Sequence, residues 1–361
     1  MNKKSKLLII DLGKAYGGME RQVESLLVGL EDEFHITLIV NSNGEFIQKS
    51  RLINDYNVIK INNSIKTFYK TIIKITKYVK QEDIKVVHCN GTPANIIGII
   101  LSKFLKVKFI SAVHSDILYE FEGVKKFIYQ IVEGITARYA KKVVVVSNDL
   151  QSKLRSRHKK YTDKFIVVYN GVTFEKENFK VSRDSNKFKM LFVGRLVDIK
   201  NIEYLLESIY KVKNTGFQFE CNIIGEGELR EELINSCIEK RIESYVNFLG
   251  FKDNIQEYML DSDLLVMTSK MEGIPLVIIE AFANKLPVVS SSVGGICEMI
   301  ENNYNGILFN LSDKDGLTKV FLDIFNNKYD LNEIKETAYG EYKNKWTREA
   351  MLGEYKKLYL N

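Results

Sequence analysis

The chain has 361 residues, a formal net charge of +6, 45% hydrophobic residues and 27% charged residues. That length suits two domains, each large enough to bury its own core, and the composition argues against long disordered tails. The mild, interleaved charge points to no nucleic-acid partner, and Cys89, Cys221, Cys237 and Cys297 lack CxxC spacing, so neither a zinc site nor a disulfide framework is expected and a reducing cytosol fits.

In chain order, the basic start MNKKSKLLIIDLG has an apolar run that Asp11 interrupts, too short for the core of a signal peptide. No later apolar run approaches the roughly 18 residues that span a bilayer, so a cytoplasmic protein is expected. Short apolar, β-branched runs then alternate with longer segments of helical period, which predicts a parallel sheet with crossover helices. The alternation occurs twice. Predicted strands cover 7–11, 36–40, 86–89, 109–113, 143–147 and 166–169, then 190–193, 220–224, 246–249, 264–268 and 288–291. Between the two series, the polar segment 172–187 reads as a linker. The expected fold class is α/β, with Rossmann-like, doubly wound domains over 1–172 and 187–345. Such domains bind ligands at the carboxyl ends of their strands, so a central cleft between the halves is the expected site.

Chemistry concentrates in SKMEGIPLVIIEAFANKLPVV, residues 269–289, where Glu272 and Glu280 stand eight apart. Pro275 suits a first helical turn, where its missing N–H costs nothing, which predicts a helix starting near Ile274, with the free N–H groups of the stretch from Gly273 to Leu276 (Gly273, Ile274 and Leu276, Pro275 having none) turned to an anion such as a phosphate. The two carboxylates then flank that site, each able to accept hydrogen bonds from hydroxyls; taken alone, this motif would read as two solvated surface acids. Just past a predicted strand, Arg195 and Lys200 can neutralise charge on a departing diphosphate. Gly17 and Gly18 precede a helix whose first turn holds Glu20, and their bare backbone can approach a phosphate or simply make a turn. The triplet Asp261-Ser262-Asp263 has the spacing of a divalent-ion site but precedes a predicted strand, where a structural role is expected; Asp313-Lys314-Asp315 reads as a helix start.

Together these segments resemble the family 4 glycosyltransferases, retaining enzymes of the GT-B fold. The similarity runs in order through GGME at 17–20, AVHS at 112–115, VVSNDL at 145–150, YNGV at 169–172, VGRLVDIKN at 193–201, IIGEGELREEL at 223–233 and EGIPLVIIEAFANKLPVV at 272–289. The resemblance implies transfer of a sugar from a nucleotide diphosphate sugar, a UDP-sugar first, to a saccharide or lipid-linked saccharide in surface polysaccharide assembly. It assigns Arg195 and Lys200 to the donor diphosphate, Glu280 to the ribose hydroxyls, Glu272 to the transferred sugar and Gly18 to the phosphates from the other domain. His114 matches the histidine lining the cleft near the donor sugar, whereas His88 matches more loosely and could equally cap a strand end. No metal, other cofactor or protein nucleophile is implied. Ile274-Pro275 departs from the Phe-Gly or Phe-Pro of many relatives, which obscures the sugar. The last segment, 346–361, resembles the terminal helix that packs back on the first domain.

Lys66, Lys70, Lys74, Lys77 and Lys80 recur every three or four residues with no acid among them, while Phe68, Ile72, Ile75 and Val79 take the opposite face. This basic amphipathic helix is either a solvated face or a contact with anionic lipid on the inner face of the cell membrane. Rival functions are a nucleotide-sugar epimerase on the same fold, a non-catalytic sugar-nucleotide-binding subunit, and a nicotinamide-dependent dehydrogenase. The last is disfavoured because residues 13–18 read GKAYGG and 225–230 read GEGELR, neither of them GxGxxG.

Overall fold

The structure is a computed structural model that describes residues 4–50, 52–62, 65–173 and 187–361, without the side chains of 65–67 and 120. Of the predicted linker 172–187, all but its ends lies outside the described residues. The chain divides into two compact units, one formed by Met1–Gly171 with Arg348–Asn361 and the other by Val172–Thr347.

The first unit holds seven parallel strands, β1 (Ser5–Asp11), β2 (Phe34–Asn41), β3 (Asn57–Ile61), β4 (Val86–Asn90), β5 (Lys108–Val113), β6 (Lys142–Val145) and β7 (Phe165–Val167), in the order β3-β2-β1-β4-β5-β6-β7. Leu7, Leu8, Ile9 and Ile10 of β1 are all fully buried, since helices cover both faces of the sheet; a central parallel strand therefore reads as an unbroken apolar run. From β1 the chain steps one way to β2 and β3, then the other way from β4 to β7. Right-handed crossovers accordingly send the two groups of connecting helices to opposite faces.

One face is closed by helices Gly18–Leu30 and Arg348–Leu360, whose Met351, Tyr355 and Tyr359 pack in the same cluster as Leu7, Ile9 and Val23. Polar groups fix this terminal helix in register. Gln22 Nε2 donates to both Asn170 Oδ1 and the Tyr355 hydroxyl at 3.1 Å. His88 lies within β4 and is fully buried, with Nε2 at 2.9 Å from Asn90 Oδ1 and Nδ1 at 2.8 Å from the Tyr359 hydroxyl. An amide oxygen only accepts, so Nε2 carries the proton and Nδ1 accepts from Tyr359. Burial lowers the His88 pKa to about 4, so the ring is a neutral brace for the last helix rather than a strand cap.

The second unit holds six parallel strands, β8 (Phe188–Val193), β9 (Phe219–Ile224), β10 (Val246–Gly250), β11 (Leu264–Met267), β12 (Val288–Ser291) and β13 (Ile307–Phe309), in the order β10-β9-β8-β11-β12-β13. Its core gathers Phe192, Leu206, Ile209, Phe219, Val266 and Phe321 among others. The strand pattern in the sequence misses β3 and β13, and both are sheet edges. β3, NVIKI, buries fully only its last residue and β13 is three residues long, so neither carries the continuous apolar run of an inner strand.

Replacing Tyr359 by Phe is expected to lower stability by about 1–3 kcal/mol, because it leaves His88 Nδ1 enclosed without a donor. Thermal unfolding checks this; an unchanged melting temperature would show that the hydrogen bond does not hold the helix.

Candidate active site

In the second unit the strand order reverses between β8 and β11, the position at which doubly wound sheets bind ligands, at the carboxyl ends of their strands. The loop after β8 carries Gly194, the exposed Arg195 and a 3₁₀ turn, Asp198–Lys200. The loop after β11 carries Ser269 and Glu272. Backbone contacts stitch them together: Thr268 Oγ1 donates to the Lys200 carbonyl at 3.0 Å and the Lys270 N–H to the Ile199 carbonyl at 2.8 Å. Across this seam Lys200 Nζ donates to Glu272 Oε1 at 2.5 Å, and Ser269 Oγ donates to the same oxygen at 2.6 Å. The two charged side chains are only 19% and 12% exposed, so the pair is sheltered and weakly screened.

Neighbouring strands hold these loops by close backbone packing. A Cβ on Gly225, whose φ is +142°, would lie 1.9 Å from the Gly194 carbonyl oxygen; one on Gly294, at φ +49°, would lie 2.2 Å from that of Glu272. Only glycine lets the turns after β9 and β12 come so near the loops that carry Arg195 and Glu272. Glu272 is further tied by its carbonyl, which accepts from the Gly295 N–H at 3.1 Å.

The helix after this loop spans Leu276–Ala283, so it begins two residues later than the sequence suggests. Pro275, with ψ at 124°, is extended and forms the N-cap instead of entering the first turn. As a proline it has no N–H to donate, Ile274 is buried, and the N–H groups of Leu276 and Val277 precede the first bond of the helix, from the Ile278 N–H to the Pro275 carbonyl. Gly273 sits between Glu272 and this cap. Glu280 is the fifth helical residue, about 6 Å along the axis from the start, and is half-buried. The acidic triplet falls at the other end of the sheet. Lys189 Nζ donates to Asp261 Oδ2 at 2.7 Å and the Lys189 N–H to Asp263 Oδ2 at 2.8 Å, which joins the starts of β8 and β11. Among the described residues no cluster of three or more His, Cys, Asp or Glu side chains is placed to hold a metal ion.

The first unit has its own reversal point, between β1 and β4, where Asp11 and Asn90 sit side by side in register. Asp11 Oδ1 accepts from the Gly13 N–H at 2.9 Å and Oδ2 is enclosed; burial raises the carboxyl pKa to about 6, with hydrogen bonding from Gly13 and the Asn90 side chain opposing. Gly17 is the N-cap of helix Gly18–Leu30, and its N–H already donates to Glu20 Oε2 at 2.9 Å. Its backbone is extended, and a Cβ there would meet nothing nearer than Glu20 Oε2 at 3.8 Å, so packing does not demand glycine; Gly18 is exposed. His114 follows β5 with Nε2 enclosed and no partner among the described residues, and burial, with help from nearby His88, lowers its pKa to about 3. Just beyond it, Asp116 caps Leu118 and is held by Arg157 Nη2 at 2.7 Å, which fixes the His114 loop. Sequence patterns single out neither Asp11 and Asn90, which look like ordinary strand-end residues, nor a role for Ser269, which merely opens the 269–289 stretch.

Two family models match the chain, Glycosyltransferase Family 4 over residues 16–176 and Glycosyl transferases group 1 over residues 173–345. A glycosyltransferase of Methanocaldococcus jannaschii is 30% identical over 280 residues, covering 71% of each chain. The UDP-Gal:alpha-D-GlcNAc-diphosphoundecaprenol alpha-1,3-galactosyltransferase of Escherichia coli is 24% identical over 394 residues, covering 100% of this chain and 98% of that protein. Among solved structures, an Anabaena protein in complex with UDP-glucose has a TM-score of 0.85 at 20% identity, covering 98% of both chains. The GT-B class of two Rossmann-like domains expected from the sequence is thus the observed fold.

Three buried groups of the first unit give a pH signature. Between pH 6.5 and 4 the unfolded chain protonates His88 and His114, which the folded chain keeps neutral, whereas the folded chain retains a proton on Asp11 that the unfolded chain releases. The unfolded state then holds about one proton more, so stability falls on acidification by about 1.4 kcal/mol per pH unit from these groups. Melting temperatures from pH 6.5 to 4.5 should fall less steeply in His114→Gln; equal slopes would mean that His114 is not held neutral.

Proposed function

Since the chain belongs to the group 1, family 4 glycosyltransferases, we propose that it moves a hexosyl residue, with retention of anomeric configuration, from a UDP-sugar to a lipid-linked saccharide in polysaccharide assembly. The Lys200–Glu272 pair at the reversal point of the second sheet is the observation that carries this proposal. It sets a cation for a diphosphate beside a carboxylate for sugar hydroxyls. Exposed Arg195 adds a second cation from the same loop, and the Leu276 and Val277 N–H groups supply donors with the positive end of the helix dipole. Glu280, further along the helix, is proposed for the ribose hydroxyls. His114, Gly17 and Gly18 are proposed to supply the donor contacts of the first unit that the family resemblance gives them. The names of the relatives support the substrates: the Escherichia coli protein is named for UDP-galactose and a diphosphoundecaprenol-linked sugar, and the Anabaena structure holds UDP-glucose.

In the proposed step the acceptor hydroxyl attacks the anomeric carbon on the face that the diphosphate leaves. The carbon–oxygen bond to phosphate breaks, the new glycosidic bond forms, and the acceptor proton passes to a phosphate oxygen of the departing UDP. Arg195 and Lys200 stabilise the negative charge that gathers there, so no metal and no protein nucleophile are invoked.

Arg195→Ala and Lys200→Ala are each expected to slow transfer by about 100-fold or more, read as UDP release with acceptor present. Glu280→Gln should instead weaken UDP binding, read by thermal shift. Full activity in both cation variants would overturn the site, and conversion of the donor alone into a different sugar nucleotide would replace transfer by epimerisation.

A further inference from the structure

Charge and apolar exposure are distributed unequally over the two faces of the first sheet. Helices Ile65–Gln81, Gly91–Phe104 and Gly123–Tyr139 connect β3 to β4, β4 to β5 and β5 to β6, steps in one direction along the sheet, so right-handed crossovers put all three on one face. Their sequences hold nine Lys or Arg and one acid, Glu133, whose carboxylate is taken by Arg157 and by His158 at 2.7 Å. Helices Gly18–Leu30 and Arg348–Leu360, on the opposite face, hold four bases and four acids.

The same basic layer exposes apolar side chains in register. Val124, Phe127, Ile128, Ile131 and Ile135, between 38% and 76% exposed, follow one another at helical spacing and make a stripe about 100° wide. A soluble helix turns such a stripe inward, yet this one faces solvent while Thr136 and Ala137 on its other side are buried. Arg138 closes one end, Lys125 flanks the other, and Tyr69 and Ile73 stand exposed among Lys70, Lys74 and Lys77 on the first helix. Among the described residues none of these lysines is in a salt bridge. In contact with a second copy of itself this face would set like charge against like charge, whereas an anionic lipid surface complements both its charge and its apolar stripe. Among the described residues no helix is long and apolar enough to cross a membrane, so contact would be with the surface.

We propose that this three-helix face docks the first unit on anionic lipid, with the Gly123–Tyr139 stripe entering the headgroup region and the Ile65–Gln81 lysines meeting the lipid charge. The docking deepens the proposal of a lipid-linked acceptor: the stripe starts ten residues after His114, on the connection that leaves the carboxyl end of β5.

Flotation of the full chain with vesicles of phosphatidylcholine, with and without phosphatidylglycerol, tests it. Binding is expected only to the anionic vesicles. It should fall at least ~10-fold in a Phe127→Ser, Ile131→Ser double variant and by roughly fivefold for each of Lys70, Lys74 and Lys77 changed to Glu. UDP binding by thermal shift should stay unchanged in both variants, which shows that they fold. No binding at low salt, or binding indifferent to the apolar variant, overturns the proposal, as does a dimer in analytical ultracentrifugation that the apolar variant breaks. A chain that consumes donor without binding vesicles loses the docking alone; one that binds vesicles but consumes no donor loses the transferase reaction alone.

Discussion

Lys200 and Glu272 stand 72 residues apart in the chain and meet at 2.5 Å because β8 and β11 are neighbours at the reversal point of the second sheet. An isolated sheltered charge is costly, and each of these ions offsets the cost of the other while Ser269 takes up a further lone pair of the carboxylate. The consequence is a carboxylate and an ammonium that hold each other in fixed positions. The close passage of Gly225 over Gly194 and of Gly294 over Glu272 limits how far either loop can shift. Preorganisation of this kind is what makes fixed charge effective against charge that develops during a reaction.

The two reversal points are built on opposite electrostatic terms. In the second unit formal charge is kept, on the exposed Arg195 and on the sheltered Lys200 and Glu272, which pair with each other. In the first, burial works against charge, raising the carboxyl of Asp11 and lowering the imidazoles of His88 and His114, so that around neutral pH both histidines are uncharged. The same burial gives His88 its structural task, since a neutral ring can accept from Tyr359 and donate to Asn90 at once.

A similar division separates the faces of the first sheet. Helices Gly18–Leu30 and Arg348–Leu360 bury Val23, Leu26, Leu27, Met351, Tyr355 and Tyr359 in the core of the unit and balance their charges, which suits a face closed within the unit. Helix Gly123–Tyr139 leaves a full apolar stripe uncovered in a layer that is almost purely basic.

What the sequence determined by itself was whatever is periodic and local. The inner strands were legible as apolar runs because both of their faces are buried, the basic helix as a three-and-four repeat of lysines, and Glu272, Glu280, Arg195 and Lys200 as recognisable spacings next to strand ends. Tertiary structure alone decided which of these residues meet. It joined Lys200 to Glu272, set Asp11 beside Asn90, buried His88 under the last helix and placed Pro275 before its helix instead of inside it. It also turned outward a stripe that reads in sequence like any core-facing helix. The physical reason is that a local pattern encodes period and average burial, whereas adjacency and facing depend on strand order and crossover handedness, which bring together residues that share no local signal.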